Sequence, residues 1–249
     1  MRFTRPIVLA LLLSFGAGCA STTPAAVGPS HQAASGSGPE PEGGGATSQD
    51  EGWEKIRDED GIVVHKKEVP GSPLVAFRGT GVVDAPLSKV VFVLIDLART
   101  KEWVERVVEG RIVRQISETE YVTYTHLGAP LIVSDREFVS RAKISMEPGK
   151  LVRFTMNATE DPDAPRGKYV RGELIGSSWE VRPVDATHTL VTAEIHADPK
   201  GSLPKAIVNF LQTSWAYKTI TALRKQASKA DITENAQMMT RLKEYKLAE

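Results

Sequence analysis

Asp198-Pro199-Lys200-Gly201-Ser202-Leu203-Pro204, running on into Lys205-Ala206-Ile207-Val208-Asn209, is where this chain changes its period. Just before it, Thr189 to His196 alternates, with Val191, Ala193 and Ile195 on one side and Glu194 and His196 on the other. That two-residue period belongs to a half-buried strand. Just after it, Ile207, Val208, Leu211 and Trp215 recur at helical spacing, followed by Ile220 and Leu223. The spacing predicts one long amphipathic helix from Pro204 to about Lys229. The Pro and Gly residues between the two patterns end the one and permit the start of the other.

Upstream of this junction the chain is strand-like back to Glu109. The candidates are Arg111–Ser117, Tyr121–Leu127, Arg136–Met146, Leu151–Thr159, Tyr169–Val184 and Thr189–His196, rich in β-branched residues and bounded by turn formers. Leu151–Thr159 sets Val152, Phe154 and Met156 on one face. Earlier still, Ile62–Val69 and Val75–Asp84 read as strands joined by Pro70-Gly71-Ser72-Pro73. Pro86 then opens a helix, Leu87–Asp96, with a shorter helical piece at Thr100–Val104 and another expected at Trp53–Arg57. Strands and helices do not alternate, so a doubly wound parallel sheet is excluded and an α+β fold remains, an antiparallel sheet curled round its terminal helix.

Composition narrows the function. The 249 residues carry 31 basic and 31 acidic side chains, and this balance argues against a nucleic-acid partner, which would need a basic surplus. Hydrophobic residues make up 41% and charged residues 25%, as in ordinary globular domains. The single cysteine excludes intrachain disulfides and cysteine-cluster metal sites.

That cysteine is Cys19. Arg2 and Arg5 precede the apolar stretch Ile7–Phe15, and Gly16, Ala17 and Gly18 lead into Cys19. The pattern is that of an export signal, and it resembles a bacterial lipoprotein signal, whose cysteine is acylated after cleavage. The resemblance implies a signal peptide at residues 1–18 and an anchor at Cys19. Ala20 after the cysteine implies the outer membrane, facing the periplasm; an unlipidated chain would be secreted or periplasmic. Residues 19–51, rich in Ala, Ser, Thr, Gly and Pro, read as a flexible tether with a reach of roughly 30 Å.

Two segments point to a family. Ser134-Asp135-Arg136-Glu137-Phe138-Val139 and the Asp198–Asn209 stretch both resemble signature segments of the START domains, the lipid-transfer family related to steroidogenic acute regulatory protein. Trp53, Asp60-Gly61-Ile62 with Val64, and Trp179-Glu180-Val181 are supporting matches, and the resemblance spans about residues 52–228. It implies a helix-grip fold with an internal hydrophobic cavity for one lipid, whether sterol, phospholipid, fatty acid or carotenoid. It implies no cofactor and no metal, a membrane surface as partner, and a monomer. The expected ligand-binding residues are Arg136, Phe138, Phe154, Met156, Val191, Ala193, Ile207, Leu211 and Trp215. The expected gate is Gly128, Ala129, Pro130 and Leu131, facing a lid at Pro204 and Val208. By the same resemblance Arg136 points inward, toward a carboxylate (Glu118, Glu120 or Glu194) or toward the ligand's polar end. A surface arginine paired with Asp135 or Glu137 is the plainer alternative.

From Lys200 to Ala230 there are six cations and no acids (Lys200, Lys205, Lys218, Arg224, Lys225 and Lys229). Such a helix suits either a lid on anionic headgroups or a core helix whose terminal cations complement its dipole. Residues 229–249 read as a polar tail, in which Met238, Met239, Leu242 and Tyr245 would make a short helix if it orders. No nucleophile elbow, metalloprotease helix or phosphate-cradling loop occurs, so a non-enzymatic binding and transfer role is expected. Two alternatives stay open: a helix-grip enzyme of cyclase or hydrolase type, and a lipid sensor that never releases its guest. Replacing Cys19 with Ser tests the anchor: the variant is expected in the aqueous fraction of lysed cells, and unchanged membrane association would refute lipidation.

Overall fold

Asp60 and Gly61 make the turn of the first hairpin. Both adopt positive φ, 52° and 67°, the combination a two-residue hairpin turn needs. The computed structural model describes residues 52–129, 133–204, 208–209 and 212–249; residues 1–51, with the expected leader, Cys19 and the expected tether, and Pro130, Leu131, Ile207 and Leu211 lie outside the described residues. The turn folds β1 (Glu54–Glu59) back on β2 (Ile62–Glu68), with Glu59 opposite Ile62 and Glu54 opposite Lys66. The helix expected at Trp53–Arg57 is therefore a strand. A five-residue helix has too few internal bonds to offset its nucleation cost, whereas pairing with β2 provides a ladder.

The strands that follow are β3 (Val75–Val83), β4 (Val107–Ser117), β5 (Glu120–Leu127), β6 (Arg136–Glu147), β7 (Leu151–Ala158), β8 (Val170–Arg171), β9 (Glu173–Pro183) and β10 (Thr189–Asp198). The stretch expected as one strand from Tyr169 is broken at Gly172 into β8 and β9. The sheet order is β1-β2-β3-β10-β9-β7-β6-β5-β4, antiparallel except for β8, which runs parallel to the start of β6. The sheet stays open, with β1 and β4 at its edges. This is the α+β helix-grip arrangement: a curved antiparallel sheet with helices at its C-terminal end.

Helix α1 (Leu87–Ile95) follows Pro86 and buries Leu87, Val90, Val91, Phe92 and Val93; a 3-10 helix, Leu97–Glu102, succeeds it. Helix α2 (Trp215–Ala227) is shorter than the helical pattern suggests. Residues 208–209 and 212–213 are helical too, but Ser214 is a turn residue. The Thr213 hydroxyl donates to the Asn209 carbonyl at 2.9 Å, a local bond of the kind that bends helices.

Helix α2 lies against β2, β3 and β10, and two glycines on β3 let it in. A Cβ on Gly79 would stand 2.9 Å from the Ala216 Cβ, and one on Gly81 would stand 3.1 Å from Ile220. Ala216, Ile220 and Leu223 are fully buried there. The helix is thus a core element. Most cations on and just after it are engaged: Arg224 donates to the carbonyls of Val82, Asp60 and Gly61, Lys218 pairs with Glu105 and Lys229 with Glu102, while Lys225 is exposed.

Beyond α2, residues Ala236–Glu244 form α3, capped by the Asn235 side chain, which accepts the Met238 N–H at 2.8 Å. Met238, Leu242 and Leu247 are buried in the main core, each stabilising the fold by about 1.5–3 kcal/mol. The Gly149 N–H donates to the Tyr245 carbonyl at 2.8 Å, tying the end of the chain to the β6–β7 turn. Gly79→Val forces a branched side chain into the α2 contact and is expected to lower unfolding free energy by about 2 kcal/mol in urea titrations; an unchanged midpoint would mean that α2 does not depend on this approach.

Candidate functional site

Alternation along β5 puts Tyr121, Thr123 and Thr125 on the concave side of the sheet, and register carries that face across to β6 and β7. Tyr121 stands opposite Ala142, Ala142 opposite Met156, and Ile144 opposite Phe154. Over this end of the sheet lie the last turn of α1 (Leu94, Ile95), Leu97, and α3 with Met238 and Arg241. Sheet and helices do not meet completely. They enclose a cavity of about 200 Å³, bounded also by Ile112, Glu118, Asn235 and Gln237. Its lining is mostly apolar, with Thr125, Asn235, Gln237 and Arg241 among the polar groups; the Tyr121 hydroxyl donates to the Glu118 carbonyl (2.7 Å) and the Thr123 hydroxyl to the Ser140 carbonyl (3.3 Å). Burial pushes the Tyr121 phenol above its usual range.

A larger hollow of about 600 Å³ opens elsewhere, between β6, β8 and the loop after β7. Charges line it, and they pair with one another: Arg166 with Glu160, Arg171 with Glu137 and Glu160, Lys200 with Glu173 and Asp198. Such a surface does not suit an oily guest.

Of the residues the sequence nominated, Phe154 and Met156 line the 200 Å³ cavity. Val191, Ala193 and Trp215 belong to the core cluster next to it, where Trp215 and Trp103 each meet Trp179 edge to face at 6.3 and 6.2 Å. None of these three lines the cavity. Phe138 packs its ring over Gly172, so closely that a Cβ there would stand 2.4 Å from it. Val208 is buried and Pro204 exposed, both away from the cavity.

Arg136 is only 6% exposed, yet it does not line the cavity and meets no acid there. Its guanidinium donates to three backbone carbonyls: Pro199 and Lys200, both at 3.3 Å, and Ser134. The glutamates proposed as its partners are taken, Glu194 by Arg78 at 2.6 Å, Glu120 by Arg141 at 2.7 Å and Glu118 by Arg241. The two signature segments are therefore joined to each other: Arg136, from the first, holds the turn that opens the second.

On the opposite face, Glu137 forms a buried pair with Arg171 at 3.0 Å, accepts the Gly167 N–H at 3.2 Å and receives the Tyr124 hydroxyl at 3.2 Å. Burial, with the Glu137 charge beside it, pushes the Tyr124 phenol up to about 12. At the expected gate, Asp135 accepts the Ala129 N–H at 2.9 Å and lies 2.8 Å from His126 Nε2. These contacts hold the Asp135 carboxyl below the usual range. His126 stacks on Tyr169 at 4.1 Å, and the Gly128 N–H donates to the Arg106 carbonyl. His126 is thus a structural histidine, and both arms of the loop are pinned. Asp161, whose side chain is buried, pairs with Arg114 at 2.5 Å.

Sequence reasoning missed Leu94, Ile95, Ile144, Met238 and Arg241. Met238 and Leu242, one helical turn apart, belong to the short helix expected in the tail, which is α3, but nothing in their spacing places that helix at the cavity.

Comparison with known proteins follows the same architecture. The family model described as START domain matches residues 44–229. An uncharacterized protein of Pseudomonas aeruginosa is 26% identical over 188 residues, 75% of this chain and 91% of that protein. Steroidogenic acute regulatory protein of Xenopus laevis is 31% identical over 166 residues, 64% of this chain; the match spans 58% of the Xenopus protein's length. Among solved structures, a STAR-related lipid transfer protein fragment from Xanthomonas axonopodis superimposes with a TM-score of 0.64 at 29% identity, covering 72% of this chain and all of that one. Human StAR-related lipid transfer protein 5 superimposes with a TM-score of 0.65 at 24% identity, covering 71% and 86%, and supports the fold.

Arg136→Met leaves three carbonyls without their donor and is expected to cost about 2–3 kcal/mol in urea unfolding. Arg136→Lys should not restore the loss, because one ammonium cannot reproduce the planar fork; full rescue by Lys would show that charge alone matters.

Proposed function

This chain belongs to the START domain family, and on that premise we propose that it is a lipid carrier without catalytic activity, holding one hydrophobic guest in the cavity under α1 and α3. The observation that carries this reading is the cavity's lining. Leu94, Ile95, Ile144, Phe154, Met156 and Met238 offer apolar surface, and each 100 Å² of guest surface removed from water stabilises the complex by about 2.5 kcal/mol. Among the described residues, the titratable groups at the cavity are Glu118, Tyr121 and Arg241. Tyr121 is bound to a backbone carbonyl, and Glu118 and Arg241 are bound to each other. A cyclase or hydrolase would need convergent acid and base groups aimed into the space; this lining favours the carrier.

The guest's path, in this reading, is the side where α3 meets β4. Ile112 borders the cavity and is 50% exposed, and Ile116 beside it on the same edge strand is 43% exposed. An exposed isoleucine at the cavity, on an edge strand with a second exposed isoleucine, suits contact with the acyl region of a bilayer. Helix α2, with Arg224 and Lys218 engaged and its apolar side buried, is a fixed core element rather than the moving lid. With Cys19 acylated and residues 19–51 as tether, the domain would work within reach of a membrane and pass lipid across the cell envelope as a monomer.

Native mass spectrometry of the purified full chain, followed by solvent extraction, tests the proposal. One hydrophobic guest per chain, or its uptake from vesicles, is expected; a chain that neither retains nor acquires lipid would overturn it. Ala142→Trp fills the cavity from the sheet side and is expected to reduce vesicle uptake at least tenfold while circular dichroism stays that of the parent.

A further inference from the structure

Helix α3 lies beyond the residues the family model matches, yet it forms one wall of the cavity. What it brings there is unusual for an oily site. Met238 faces the core, and Arg241, three residues on along the same side of the helix, also lines the cavity. We propose that Arg241 is the headgroup-recognition residue of this site, and that the guest it selects is a single-chain lipid with an anionic head, a carboxylate or a phosphate monoester. The proposal rests on the lipid-carrier reading and names the class of lipid.

Three observations carry it. The first is the partner. Arg241 is bound to Glu118, on the β4–β5 turn, and the two are unequal: the arginine side chain is 24% exposed and the glutamate 65%. The cation is fixed at the cavity's edge, and its anion reaches in from solvent. An ion pair so exposed is weak, so a guest's anionic head can take Glu118's place at little cost. A guanidinium offers parallel N–H donors that match a carboxylate or phosphate, and nothing comparable for an alcohol or ester head.

The second is the rest of the donor set. The Tyr121 and Thr123 hydroxyls already donate to backbone carbonyls, and the other side-chain donors of the lining, Thr125, Gln237 and the amide of Asn235 (whose oxygen caps α3), are neutral. Arg241 is therefore the strongest donor at the cavity that a guest can recruit merely by displacing a surface group.

The third is size. About 200 Å³ lies below the ~300–1,000 Å³ of typical ligand pockets, which favours one slim chain over a fused-ring or two-chain lipid. With the chain against Ile144, Phe154 and Met156, the head would come to rest at the rim, where Arg241 stands.

The test uses the full chain and two variants, R241M and E118Q, with displacement of a fluorescent fatty acid by dodecanoate, dodecyl phosphate and dodecanol. The parent is expected to bind both anions at least tenfold more tightly than the alcohol. R241M should weaken both anions about tenfold and leave dodecanol within twofold. E118Q, which frees the arginine from its competitor, should tighten both anions several-fold. Opposite signs are the signature, because a merely structural ion pair would make the two variants shift affinity the same way. Comparable tightening of one anion only would identify the head as carboxylate or phosphate. Equal binding of acid and alcohol by the parent, or same-direction shifts in the two variants, would overturn the role of Arg241 while leaving lipid binding intact. Failure of all three probes to bind the parent would overturn the single-chain anionic guest, and the carrier reading falls with it only if the full chain also takes up no lipid from vesicles. Circular dichroism melts verify folding, and the E118Q arm decides the matter if R241M proves unstable.

Discussion

The close approach of α2 to β3 is the constraint from which the rest of the molecule follows. A helix can lie this near a sheet only where side chains leave room, and Gly79 and Gly81 leave it at one end, beside β2 and β10. Dense packing there, with Ala216, Ile220 and Leu223 fully buried, uses up the one long helix. It cannot also cover β4 to β7. That end of the sheet is roofed instead by the short α1, a 3-10 helix and α3, whose fit is imperfect, and the cavity is the space their fit leaves. Interiors are otherwise close-packed, so a void lined by leucine, isoleucine, phenylalanine and methionine is a feature that the geometry of coverage explains.

Seen this way, the two signature segments are structural before they are functional. Arg136 closes on the carbonyls of Ser134, Pro199 and Lys200, and Glu137 on the other face closes on Arg171, Gly167 and Tyr124. Adjacent residues on one strand thus brace both sides of the sheet, one toward the final helical region and one toward the β8 loop. A buried charge without such partners would be strongly destabilising, which is why the arginine's surroundings are so completely specified. In the proposed carrier, the guest's polar end would have to be met by something else. Arg241 is the cation at the cavity, and it comes from a helix outside the family match.

Legibility in the sequence was uneven, for physical reasons. Strands with strict alternation, such as Leu151–Ala158 and Thr189–Asp198, could be read because one face is buried and the other is not. Phe154 and Met156 were recognised as inward-facing on that basis. The hairpin at Asp60-Gly61 carried an equally plain turn signal, but a helical reading of the short charged segment before it obscured the strand β1. Arg136 was correctly singled out as buried. Its partners were not foreseeable, because a guanidinium can be satisfied by carbonyls sixty residues away as well as by an acid, and spacing along the chain does not distinguish them.

By itself the sequence determined the element order beyond the first strand, the α+β class, the family and the existence of apolar inner faces, since period and turn chemistry are local properties of the chain. Only the tertiary structure decided which inner-facing residues pack solidly and which border a void. Val191, Ala193 and Phe154 look alike in one dimension. Two of them stay in solid packing and the third faces the cavity, because the coverage of each strand by a helix depends on contacts made far apart in the chain. The same holds for Arg241: its charge is plain in the sequence, but its place at the rim of an apolar cavity, opposite Glu118, comes only from the packing of α3 on the sheet.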